Sequence, residues 1–158
     1  MENKEFDFHE IKTFEDACKR LGISKDTQLL MTHNGNTESF LQASALYKLL
    51  IIQKAINNGI SHDEYGFSYY PYWVFYSKKE MENMSDEEKQ KNGVKELISC
   101  DFINGAKYDG IRCSEVSNRG VLTYCGFLLN YNSGEVSQYV AKQFESLFFQ
   151  YYGIKIKE

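Results

Sequence analysis

Three observations predict an α+β fold built on an antiparallel sheet. Apolar residues recur at helical spacing in segments 14–21, 38–58 and 133–151. A stretch at 66–76 is dense in aromatic and β-branched residues, which fit a pleated surface. After it come short apolar runs whose separating gaps are too brief for the crossover that parallel pairing needs. An antiparallel β-meander with helices packed on one face is therefore expected, as a single domain across 1–158. A chain of 158 residues buries about 70% of the surface its unfolded form exposes, enough for a core without staples.

Residues 1–12 are polar apart from Phe6, Phe8 and Ile11, and read as an N-terminal arm or an edge strand. Thr13 and Asp16 have the spacing of a capping box. Phe14, Ala17, Cys18 and Leu21 then form one helical stripe, which Gly22 stops. The longest helix is predicted from about 38 to 58, with Thr37 as its cap and Gly59 as its stop. Its middle (Leu46, Tyr47, Leu49, Leu50, Ile51, Ile52) is apolar around most of the circumference, broken only by Lys48 and Gln53. Such a helix belongs in a core.

In the aromatic strand Pro71 removes a ladder donor, which places the strand at an edge or gives it a bulge. Ser85 and Glu88 form a second capping-box pattern, opening a short helix that ends near Asn92 and Gly93. The stretch 78–93 is thus a charged helical insertion with a solvated face. Turn signals follow at Asn104-Gly105, Asp109-Gly110 and 117–120, separating strands at 97–103, 106–108, 111–116 and 121–130. Ser133 caps the last helix. Val136, Tyr139, Val140, Gln143, Phe144, Leu147, Phe148 and Tyr151 line one side of it, and Gly153 marks its stop.

Composition narrows the function. The chain has 18 basic and 22 acidic side chains, a formal charge of −4, whereas a general nucleic-acid coat needs clustered Lys and Arg. No apolar run approaches the roughly 20 residues that span a bilayer. Positions 1–6 lack the apolar stretch of a secretory signal, so a cytoplasmic product is expected. Cys18, Cys100, Cys113 and Cys125 show no C-x-x-C spacing, and His9, His33 and His62 are scattered. They are read as reduced cysteines acting as small hydrophobes, with no metal and no cofactor.

Catalytic motifs are equally sparse. There is no Gly-rich phosphate loop, no G-x-S-x-G and no H-E-x-x-H. His62, Asp63 and Glu64 are adjacent, so their side chains diverge and read as a solvated loop. Cys113, Ser114 and Glu115 lack a histidine in the same segment to activate the thiol. A small enzyme of unidentified class is a lesser alternative. Residues 17–27 resemble the turn of a helix-turn-helix, whose second helix would carry Lys25, Thr27 and Gln28. That helix has no arginine and ends early at 34–36, so a DNA-reading regulator is also a lesser alternative.

The aromatic strand is the candidate surface. Alternation puts Phe67, Tyr69, Pro71, Trp73 and Phe75 on one side and Tyr70, Tyr72, Val74 and Tyr76 on the other. If the Trp73 side packs on the helices, Tyr70, Tyr72 and Tyr76 face outward. There they offer large contact area at low entropic cost. Arg112 and Lys107, with Arg119, sit on neighbouring turns and add charge. The expected partner is a protein or a small-molecule ligand. The competing reading is a sheet buried on both sides, or a contact with a second copy in a homo-oligomer.

Residues 129–147 resemble a segment of small uncharacterised proteins common in Bacteroidetes genomes, prophages and gut phages. Glu135, Tyr139, Lys142, Gln143, Phe144 and Leu147 keep its pattern. Phe14 to Cys18 with Leu21 to Ile23 is similar to the family's opening helix. Tyr47 to Ile52 with Ala55 to Gly59 resembles its long helix, and Tyr70 to Trp73 its Tyr-Pro-Trp strand. The chain departs from the family at Leu128, at Ala141 and through 78–93. The resemblance implies a mobile-element setting: a virion accessory component, or an early protein that captures a host factor or defence signal. It implies no activity. For Lys142 and Gln143 a structural hydrogen-bond role is expected.

Overall fold

The computed structural model describes residues 6–25, 38–58, 69–100, 108–113 and 129–157. In chain order these form α1 (Phe14–Leu21), α2 (Glu38–Asn57), β1 (Trp73–Tyr76), α3 (Lys78–Asn83) and α4 (Asp86–Asn92). Then follow β2 (Lys95–Cys100), β3 (Gly110–Cys113), α5 (Gly134–Gln143), α6 (Glu145–Tyr151) and β4 (Ile154–Ile156). The α+β class, the antiparallel sheet and the long helix are all present.

Helix α2 is the hub. Ala45, Leu49, Ile52, Ala55 and Ile56 are fully buried on it, against α1 on one side and α6 on another. Val136, Val140, Phe148 and Tyr131 complete the same cluster. The half-buried Leu46, Leu50 and Ile51 extend this packing, which is why the helix carries apolar residues around most of its girth. Helix α1 starts as its sequence dictates. The Thr13 hydroxyl accepts from the Asp16 amide, and the Asp16 carboxylate accepts from the Thr13 amide at 2.8 Å. The hydrogen bond from the Thr13 side chain is the main reason the Asp16 carboxyl titrates below its ordinary value. Gly22 ends the helix at φ +66°, a conformation that favours glycine.

The four strands lie in the order β1-β3-β2-β4, antiparallel at every pairing. Chain order and spatial order differ because β1 pairs with β3 across the intervening helices, and β4 returns from α6 to close the far edge on β2. β1 lies at one end of that order, the place Pro71 permits, and just before it Tyr69 exchanges two backbone hydrogen bonds with Tyr131. Among the described residues no helix is long and apolar enough to cross a membrane.

Four local expectations are corrected. The segment before α1 is not a strand. Asp7 caps a single 3-10 turn at Phe8–Glu10, and Ile11 is buried in the core. Two ties from α5 hold it: the Tyr139 hydroxyl donates to the Ile11 carbonyl at 2.9 Å and the Gln143 amide to the Lys12 carbonyl at 2.9 Å. The Arg20 guanidinium stacks 3.3 Å over the Phe6 ring.

The last helix is two helices. Phe144, at φ −115° and ψ 24°, breaks the run so that its own ring enters the core while Phe148 and Phe149 on α6 are buried in turn.

The insertion also holds two helices. Ser77 and Glu80 form a capping box for α3, and Ser85 and Glu88 form the expected one for α4.

Finally, Asp109 and Gly110 are not a turn. The Asp109 amide donates to the Tyr76 carbonyl, its carbonyl accepts from the Leu97 amide, and Gly110 pairs with Tyr76 and Glu96 inside the sheet. A Cβ there would overlap the Met81 sulfur, so a side chain at this position would have to displace the end of Met81.

Lys107, Arg119, Cys125, His33, His62, Thr37, Gly59, the turn at 104–105, most of the strand predicted at 121–130 and the second helix of the helix-turn-helix reading lie outside the described residues. Cys18 is buried with a free thiol, and burial pushes its titration up. Cys113 is half-buried and forms no disulfide among the described residues.

Candidate functional site

Register decides which side chains share a face. In β1 and β3, Trp73 pairs with Cys113 and Phe75 with Ile111, while Val74 pairs with Arg112 and Tyr76 with Gly110. Directly paired residues of an antiparallel ladder project to the same side. The first set turns inward. Trp73 packs on Phe148 (4.9 Å between ring centroids), Phe149 and Tyr152, and Ile111 is fully buried. Val74, Tyr76 and Arg112 therefore share the face turned away from the long helices.

On that outer face the Arg112 Nε–H donates to the Tyr76 hydroxyl. This diagonal cross-strand bond fixes the guanidinium plane and uses the side-on donor. Among the described residues nothing engages the two terminal amino groups, which are placed to act as a fork. Arg112 is half-buried, and no carboxylate pairs with it among the described residues. Tyr72 and Tyr70 lie just before β1, both half-buried. The structure thus brings Tyr76 and Arg112 together and places Tyr72 next along the same strand direction. Lys107 is not among the described residues.

The same face continues past β3. Met81 on α3 covers Gly110, and beyond it an open cleft of roughly 340 Å³ is lined by Met81, Leu97, Ile98, Asp109, Glu82 and Lys157, among others. Ile98 is 66% exposed, the most exposed large apolar side chain described. The charges at its rim are largely paired with one another, Lys157 with Glu96 at 2.8 Å and Lys78 with Glu82 at 3.8 Å. The Glu96 carboxyl is held below its ordinary value first by the Lys157 hydrogen bond. Sequence reasoning did not single out Met81 or Ile98. The available signal was that Met81 is a solitary large apolar residue followed by an uninterrupted polar run, 82–92 apart from Met84.

The motif residues on α5 serve the fold. Tyr139 and Gln143 tie down the segment 9–12, as above, and burial is the first cause of the raised titration of the Tyr139 hydroxyl. A second polar network fastens the segment ahead of α5 to α2. Gln53 donates to the Asn130 carbonyl at 2.6 Å, and Asn57 donates to the same carbonyl at 3.0 Å. No group of His, Cys, Asp and Glu suited to a metal ion occurs among the described residues. No family model, curated protein or solved structure matches the chain.

Proposed function

We propose that this chain is a non-enzymatic binding module of a phage or other mobile element, recognising a protein or small ligand through the outer face of its sheet. The observation that carries the reading is the pairing of Tyr76 with Arg112 on the face turned from α6, with no carboxylate partner for the cation among the described residues. Ring faces, a hydroxyl and a guanidinium fork are groups that hold a partner. Holding such a cation half-buried and unpaired costs stability, and contact with a partner offsets that cost. The mobile-element setting rests on the resemblance of residues 129–147, and two uses fit it: an accessory component of the virion, or an early protein that captures a host factor.

Pulldown of the full chain from infected cells, with mass spectrometry of proteins and extracted small molecules, tests the reading. The same partner should be recovered from independent infections, and Tyr72→Ala should weaken its capture several-fold while the melting temperature barely moves. Undiminished capture by Tyr72→Ala and Arg112→Gln alike would remove the outer face from the explanation. Cofractionation with purified particles separates the virion use from the early-protein use.

A further inference from the structure

We infer that the outer face takes a small, ring-bearing phosphate monoester, of the size of a nucleoside monophosphate; this rests on the binding role just proposed and names the ligand class. Three features converge on that chemistry. The Tyr76 hydroxyl consumes the Nε–H of Arg112, so the terminal amino groups remain as an end-on fork, which matches two phosphate oxygens. A half-buried guanidinium is more weakly screened than a surface lysine, so an anion seated on it gains more.

The ground beside Arg112 is also suited to a ring. Its direct partner is Val74, a short side chain, and its diagonal neighbour is Tyr76, whose hydroxyl it holds. Phosphate over Arg112 then leaves the attached ring beside the Tyr76 phenol, where stacking is tolerant of the ring's identity. The neighbouring cleft carries both signs of charge, and its lysines are paired, Lys78 with Glu82, Lys89 with Asp86 and Lys157 with Glu96.

Titration calorimetry on the purified full chain tests this with five probes: adenosine monophosphate, uridine monophosphate, phenyl phosphate, inorganic phosphate and adenosine. The three ring-bearing phosphates should bind more tightly than inorganic phosphate or adenosine, and more weakly as salt rises. Arg112→Gln should lower their affinity by a factor of about ten or more, the scale of one lost charge-assisted hydrogen bond. Lys54→Gln, which removes an exposed cation on α2, should leave it unchanged. Equal binding of phosphate with and without a ring, equal loss in both variants, or no binding of any probe overturns the inference. If the pulldown partner is still held through Tyr72 while every phosphate fails, the ligand class is wrong and the binding face stands. Loss of both fells the two together.

Discussion

Between Trp73 and Val74 the backbone advances by one residue and the surroundings change completely. Trp73, Phe75, Ile111 and the rings of α6 form a packed inner layer, held by burial and by edge-on aromatic contacts. Val74, Tyr76 and Arg112 belong to the same two strands, yet they meet a hydroxyl, a cation and partial solvent. The contrast shows that strand composition alone does not assign a role: the four residues of β1, three of them aromatic and all half-buried, are divided between two environments by register. Packing against α6 lies on one side of the ladder and the proposed recognition on the other, so substitutions on the two faces should separate cleanly.

The largest expected effect is on the inner face. Ile111→Ala removes a fully buried side chain and should cost about 2–5 kcal/mol in urea unfolding. A loss below about 1 kcal/mol would mean that the inner layer is not tightly packed. Next comes Gly110→Ala, whose new methyl meets Met81 from the outer side. It should cost about 1–3 kcal/mol, and combined with Met81→Ala the loss should be smaller than the sum of the two.

Tyr131→Phe has the opposite sign. The Tyr131 hydroxyl is buried without a hydrogen-bond partner among the described residues, and burial drives its titration far upward, so deleting it should leave stability unchanged or raise it by about 1 kcal/mol. Arg112→Gln should move stability by no more than about 0.5 kcal/mol while lowering anion affinity about tenfold or more, which sharpens the contrast most.

The smallest effect is a pH dependence. Asp16, Glu80 and Glu88 titrate below their ordinary values, chiefly through their capping-box hydrogen bonds. A lowered carboxyl contributes stability that is present above its unfolded value and lost as pH falls through the folded one. Amide shifts at the starts of α1, α3 and α4 should therefore hold through pH 5 and fray only beneath the usual carboxylate range, near pH 4.

Elements whose cause is local were legible in advance. The Thr13–Asp16 and Ser85–Glu88 boxes, the Ser133 cap and the Gly22 and Gly93 stops all act within a few residues, and each appears where its pattern stands. Helix α3 carries the same kind of signal in Ser77 and Glu80, hidden inside one charged run. Elements with distant causes were not legible. Asp109-Gly110 has the letters of a turn but lies along the sheet, because its backbone pairs with Tyr76, Glu96 and Leu97, which lie elsewhere in the chain. Apolar spacing runs through Phe144 without interruption, yet the helix breaks there as its ring is drawn into the core. For the site, the choice of Tyr76 followed from alternation, whereas Arg112 was named only for its nearness in sequence and the β1–β3 register put it on the same face. The direction of the face was decided by Phe148, Phe149 and Tyr152, which no local pattern could supply.

The ties from Tyr139 and Gln143 to the carbonyls of residues 11 and 12 join positions about 130 apart in the chain. During synthesis on the ribosome that closure must wait until residue 143 has emerged, and α6 and β4 are also needed to cover α2 and pair with β2. Nascent chains stalled ahead of residue 139 should therefore leave the apolar girth of α2 uncovered and bind holdase chaperones, and release should coincide with exit of α6.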